Sequence, residues 1–339
     1  MTTVDTSSHR SGPGSTLTDA DINQLTDRAA MGLPEYYQVP VGERLPVDAI
    51  AALGPDQLLA VLDDARRDLE QRLAAGTMLA LRGDPRLRPG GHPAMVAVPG
   101  GSFPMGTPEA DVDALHAESS HHGVQRDWIE KECPRHRVEV RSFRIAEFPV
   151  TNCEYAAFLA ETAYPEFPTH WDYGRFHPAE ANHPVYTVTS AAADAYVDWL
   201  SRRSGERYRL PTETEWEYAA AGPDGSRYTW GADWATGHAN TLECRLLTTS
   251  PVGAFPAGRS WCGAYDLGGN VEEYASSRYH PYPGGRLVED DLYRSLGNYR
   301  IARGGAFNRF RDLTRCQRRH GPYPRSLYAL GFRVAAESA

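Results

Sequence analysis

One stretch constrains this chain more than any other: Gly263-Ala264-Tyr265-Asp266-Leu267-Gly268-Gly269-Asn270-Val271-Glu272-Glu273-Tyr274. It sets three carboxylates, an amide and a glycine pair within one turn and the start of one strand. Gly268 and Gly269 are expected to take positive φ, which other residues avoid. A turn of that kind aims carbonyl oxygens inward beside Asp266 and Glu273. Calcium favours this mixture of carboxylate and carbonyl oxygen, although the spacing is not that of an EF-hand. The alternative is an ordinary turn feeding a strand.

Further blocks stand in order along the chain. They are Gly101-Ser102-Phe103-Pro104-Met105-Gly106, Phe148-Pro149-Val150-Thr151-Asn152, His183-Pro184-Val185, Tyr208-Arg209-Leu210-Pro211-Thr212-Glu213, Glu215-Trp216-Glu217-Tyr218-Ala219-Ala220, Pro251-Val252-Gly253, Arg303-Gly304-Gly305 and Gly331-Phe332-Arg333. With D-x-x-G-N-V-x-E-[WY] at Asp266 to Tyr274, this ordered set resembles the formylglycine-generating-enzyme (sulfatase-modifying-factor) family over residues 93–336. The resemblance implies an α+β fold, a variant of the C-type-lectin-like fold with little regular secondary structure and structural calcium. Carried over by position, one calcium would take the Asp266 and Glu273 side chains with the Gly269 and Val271 carbonyls. A second would take Asn240 and the Thr241 carbonyl. No acidic residue in Leu246 to Ser250 completes that second set, and Glu243 is a candidate substitute.

Composition narrows the class. A chain of 339 residues with 41% hydrophobic residues can bury a large core. A net charge of −9 argues against a nucleic-acid partner. No apolar run reaches the ~18 residues of a membrane span, and residues 1–15 lack the apolar segment of a secretory signal. Five cysteines without C-x-x-C spacing fit reduced thiols and a cytoplasmic location.

Residues 1–15 read as a disordered tail and residues 16–92 as a helical extension with a linker. Leu58, Leu62, Ala65, Leu69 and Leu73 share one helical face, with Pro55 at a first helical position and Gly76 after the last turn. That face would pack on the main domain or on a second subunit, making a homo-oligomer. Some relatives carry an iron-binding helical domain here, but residues 16–80 contain no histidine. Beyond Met95, alternating runs at 95–98 and 137–143 predict strands. Thr151 with Glu154 and Thr212 with Glu215 form capping boxes, and Ser190 caps a third helix ended by Gly205.

The chemistry departs from the resemblance. Formylglycine-generating enzymes hold copper(I) on a cysteine pair after the Gly-Gly block, and soft thiolates suit that ion. Here the matching positions are Arg309 and Thr314, with Cys316 out of step. Conversion of a sulfatase cysteine is therefore not expected. Glu272 stands where the family has Trp near its pocket. A carboxylate there can act as a base, bind a metal or pair with an arginine. Glu272, Arg309 and His320 are the candidate catalytic residues. His116, His121 and His122, in an insertion from Asp111 to Lys131, are candidate ligands of iron or copper, with Glu118, Asp127 or Glu272 completing the set. Histidines in a polar loop are as often idle, and His183 is expected to be structural.

Two functions follow. The first is a metal-dependent, oxygen-using oxidoreductase acting on a small molecule or carrier-bound peptide, as in natural-product biosynthesis. The second is a non-catalytic, calcium-stabilised binding module.

Overall fold

The computed structural model describes residues 25–33, 36, 37, 42, 45–323 and 328–338. The expected disordered tail lies outside them. Four helices lead: α1 (Asp27–Ala30), α2 (Val47–Ile50), α3 (Pro55–Leu62) and α4 (Leu69–Arg82). Strands β1 (Met95–Val98) and β2 (Gly101–Met105) follow, then α5 (Val112–Ser119), α6 (Arg126–Glu130), β3 (His136–Val140) and β4 (Phe143–Ala146). Next come α7 (Asn152–Thr162), α8 (Ser190–Ser204), β5 (Tyr208–Arg209) and α9 (Glu213–Ala221). The order closes with β6 (Glu272–Arg278), α10 (Asp291–Leu296), β7 (Arg300–Arg303), β8 (Leu330–Gly331) and β9 (Ala335–Glu337). Three small sheets result, ordered β1-β4-β9-β5, β2-β3 and β7-β6-β8. This is the expected α+β architecture with modest regular structure.

Local sequence explains most of these elements. Thr212 accepts from the Glu215 amide at 3.1 Å while Glu215 accepts from the Thr212 amide at 2.8 Å, the reciprocal box that starts α9. Glu154 likewise accepts from the Thr151 amide at 3.0 Å at the start of α7. The cap of α8 is Thr189 rather than Ser190, accepting from Ala192 N at 3.1 Å. Gly205 ends that helix at φ 75°. The predicted single strand at 137–143 is two, because the chain reverses at Arg141 and Ser142 between β3 and β4.

The leading leucine face is split. Pro55 does open α3, but that helix ends at Leu62 and α4 begins at Leu69. Gly76 lies inside α4 and does not end it. Any side chain there would run into Pro251, so glycine permits the helix to lie against the main domain. Leu58, Leu62, Leu73 and Leu79 are buried with Leu246, Ala254 and Phe255. The buried part of the stripe is thus occupied within the chain.

The main core gathers aromatic rings from α7, α8 and the segment after β8. Tyr155, Phe158, Tyr196 and Phe332 meet edge-on or stacked, with centroids 5.3–6.3 Å apart. Such pairs add about 0.5–1.5 kcal/mol each beyond their burial. Against this core lies the central strand β6, paired antiparallel with β7 and parallel with β8.

Candidate active site

Strand β6 sends adjacent carboxylates to opposite faces, as a two-residue period requires. Glu273 points into the core. Its Oε1 accepts from Arg333 Nη2 at 2.6 Å, and its Oε2 accepts from Arg333 Nε at 2.6 Å and from Trp216 Nε1 at 2.8 Å. The Arg333 guanidinium also donates to the carbonyls of Tyr265 at 2.7 Å and Ala146 at 3.0 Å. One buried cation therefore ties together the turn, β4 and β6.

Both oxygens of Glu273, the expected calcium ligand, are thus engaged by fixed donors. Asp266 is also buried, accepts from Gly253 N at 2.8 Å, and its carboxyl is pushed up to about 6 by burial. The turn reaches positive φ at Asp266 (57°), Gly269 (83°) and Asn270 (66°), and not at Gly268. Asp and Asn tolerate that region better than most residues. Gly269 has a second reason to be glycine: a Cβ would sit 2.6 Å from the Asn240 carbonyl. Asn240 fits a cation better than Glu273 does, since its buried Oδ1 accepts no hydrogen bond. Asn240 Oδ1 and the Thr241 carbonyl are the residues that would hold calcium. Glu243 accepts from the Arg311 amide at 3.0 Å.

Glu272 faces the other way. Its amide donates to the Ala329 carbonyl at 2.8 Å, fixing it beside the segment that leads into β8. Its Oε2 lies 2.7 Å from Nδ1 of His320. His320 is itself held by a two-bond bridge to Ala302 of β7, at 2.8 and 3.1 Å. The Tyr328 hydroxyl lies 2.8 Å from the same Nδ1 and donates to the Gly321 carbonyl at 3.0 Å. Burial pushes the Tyr328 phenol well above its ordinary range, so it stays neutral. Arg309 lies over the Tyr328 ring, 5.3 Å from its centroid. Glu272, Arg309 and His320 are thus brought together, and Tyr328 joins them.

A cavity of about 40 Å3 adjoins this group, lined by His320, Arg309, Asn308, His122, Arg318 and Trp128 among others. That is room for a few waters. His122 stacks on Phe310 with centroids 3.8 Å apart, and burial lowers its imidazole to about 4. His121 contacts the His122 ring but is exposed, and His116 sits on α5; neither lines the cavity. The insertion forms the two short helices α5 and α6 rather than a loop. Glu118 pairs with Arg227 at 2.6 Å. Among the described residues no three His, Cys, Asp or Glu side chains converge as a metal site, so the expected iron or copper set is not assembled. Copper also lacks its thiol pair. Thr314 is buried and donates to the Arg311 carbonyl at 2.7 Å, and Cys316 is a core thiol pushed well up by burial.

Sequence reading missed Tyr328 and Asn308. Two signals were available: Asn308 precedes Arg309 directly, and Tyr328 lies three residues before the Gly331-Phe332-Arg333 block. His183 is buried, with Nδ1 3.0 Å from the Thr249 hydroxyl.

Comparison with known proteins places these residues in context. The sulfatase-modifying factor enzyme 1-like domain matches residues 83–338. Hercynine oxygenase of Mycolicibacterium thermoresistibile is 32% identical over 245 residues, 61% of this chain and 53% of that protein. The chain therefore spans about half the length of the hercynine oxygenases it matches. Formylglycine-generating enzyme of Streptomyces coelicolor is 29% identical, over 68% of this chain and 86% of that enzyme. Among solved structures, PvdO from Pseudomonas aeruginosa superposes with a TM-score of 0.55 at 27% identity, covering 73% of this chain and 95% of PvdO.

Proposed function

This chain belongs to the sulfatase-modifying factor enzyme 1-like family, and from that membership we propose that it is an oxygen-using oxidoreductase in which His320, oriented by Glu272, accepts a proton from the substrate. The observation that carries this reading is the 2.7 Å Glu272–His320 contact at the cavity wall. A carboxylate on Nδ1 fixes the imidazole with that nitrogen protonated and leaves Nε2 as the acceptor. Once Nε2 takes a proton, the carboxylate stabilises the resulting cation. The substrate, made electron-rich by losing that proton, passes two electrons and a second proton to dioxygen, which takes up the first proton from His320 and leaves as hydrogen peroxide. Resemblance to hercynine oxygenases supports dioxygen as the oxidant. The substrate is a small molecule or a carrier-bound peptide, in keeping with a tailoring role in natural-product biosynthesis.

Neither copper nor iron has its expected donors among the described residues, and no step here runs through either. Calcium, where it binds, is assigned a structural role at Asn240 and the Thr241 carbonyl.

The test is oxygen uptake with a panel of amino-acid and peptide derivatives, hercynine included. Glu272→Gln and His320→Gln are each expected to cost about 100-fold or more in kcat/KM while the melting temperature stays near that of the parent. Uptake at the parent rate in both variants would refute the assignment. A sulfatase-type C-x-P-x-R peptide is expected to remain unoxidised, checked by mass spectrometry for aldehyde.

A further inference from the structure

Glu272 and His320 do not stand on neighbouring strands. His320 exchanges both backbone hydrogen bonds with Ala302 of β7, at 2.8 and 3.1 Å. On its other side Ala302 is registered with Tyr274 of β6. His320, Ala302 and Tyr274 therefore stand in line across the sheet, with their side chains on one face. Glu272 lies two positions before Tyr274 on β6 and so shares that face. Two interstrand spacings, about 10 Å, separate His320 from β6. The imidazole can come within 2.7 Å of Glu272 only by passing over β7. The side chain it passes is that of Ala302, which is fully buried and only a methyl group.

The opposite face fixes the spacing of these segments. Arg303 follows Ala302 and Arg319 precedes His320, and both turn into the core. Glu213 holds the two together. Its Oε1 accepts from Arg303 Nη2 at 2.7 Å and from Arg319 Nε at 2.8 Å, and its Oε2 accepts from Arg319 Nη2 at 2.9 Å. Glu217 lies 3.0 Å from Arg303, so two carboxylates face two guanidiniums. Arg319 Nη1 also donates to the Lys131 carbonyl at 3.0 Å, and its guanidinium lies 4.1 Å from the centre of the Tyr282 ring. All of these side chains are buried. β7 and the segment carrying His320 are thus clamped together directly behind the crossing. A larger side chain at 302 could not be relieved by spreading them, and the imidazole would have to give way.

We propose that Ala302 is a positioning residue, whose small size lets the His320 imidazole lie across β7 and reach Glu272. This rests on reading Glu272 and His320 as the proton-accepting pair, and it adds the residue that sets their contact. A branched side chain at 302 would fill the path and turn the ring aside, leaving Nδ1 without its carboxylate. Tyr274 does not compete for that path, because its hydroxyl donates to the Val188 carbonyl at 3.3 Å.

The experiment is 15N NMR of the full chain with labelled histidine, at a pH where the imidazole is neutral. The ring nitrogen shifts report which nitrogen carries the proton, and the His320 signal is assigned by its loss in His320→Gln. In the parent the proton is expected on Nδ1, protected from exchange with solvent. Ala302→Gly should keep that signature, although glycine within a strand lowers stability. Ala302→Val should lose it, with the proton shared between Nδ1 and Nε2, and oxygen uptake should fall about tenfold or more. Where Ala302→Val does not fold, Ala302→Cys is expected to show the same loss. A side chain that merely filled the core would give the reverse order, with glycine the most harmful. The parent signature in Ala302→Val, or in Ala302→Cys in its place, would overturn the proposal, as would loss of the signature in Ala302→Gly. Loss of the signature with oxygen uptake unchanged would refute the oxidoreductase reading alone. Uptake abolished in Glu272→Gln, with signature and uptake both kept in Ala302→Val, would refute this one alone.

Discussion

Glu272 and Glu273 are neighbours on one strand, have the same side chain and are both almost fully buried, yet they do different work. Glu273 is gripped on both oxygens by a guanidinium that never gives up its proton. Glu272 is matched with an imidazole, whose two ring nitrogens can each carry or accept a proton, at the edge of a cavity. Burial alone does not separate a structural carboxylate from a functional one. The partner does: a permanent cation makes a fixed cross-link, and a titratable one makes a group able to move protons.

The sharpest way to break this contrast is at the fixed pair. Glu273→Gln leaves Arg333 buried and uncompensated and is expected to cost about 3–5 kcal/mol, read as a large fall in the denaturation midpoint. Glu272→Gln is expected to fold and to lose activity instead, so comparable destabilisation in both variants would erase the distinction.

Asp266 gives a smaller effect of opposite sign. Its folded carboxyl stands near 6, above the ordinary 3.8. The native state then holds more protons than the unfolded state between those values. Stability accordingly falls as pH rises through about 4 to 6, and the loss is complete above that range. Asp266→Asn should remove this slope and stabilise the protein at pH 7 by on the order of 1–3 kcal/mol, with the positive φ still tolerated. Destabilisation by this change, matched by a chelator in the parent, would restore calcium at Asp266.

The smallest effect belongs to His122. Its imidazole is lowered from 6.5 to about 4, so the native state binds fewer protons between those values. Its contribution is present above pH 6.5 and fades as pH falls toward 4. His122→Phe should flatten that part of the stability profile by under about 1 kcal/mol, given its partial exposure.

The legibility of the chain followed distance along the sequence. Capping boxes at Thr151 and Thr212, the end of α8 at Gly205 and the strand period separating Glu272 from Glu273 are local, and the residues declare them. Arg333 as the counter-ion of Glu273 is a contact across sixty positions, with nothing near Glu273 to announce it. The glycine pair misled in part, because Asp266 and Asn270 accept the positive φ expected of Gly268. Glu272 was legible as an anomaly and three partner classes were open. Choosing His320 over His121 or His122 depended on the Ala302–His320 bridge, which no local pattern encodes.

The sixty-residue gap has a consequence in time. At about 5–20 residues per second on a ribosome, Arg333 is made roughly 3–12 seconds after Glu273. Phe332, one position earlier, arrives equally late to the aromatic core. Until then β6 holds a carboxylate whose cation does not yet exist, and of its donors only the Trp216 indole has already been made. The closing of this carboxylate's charge balance therefore waits on the synthesis of one arginine.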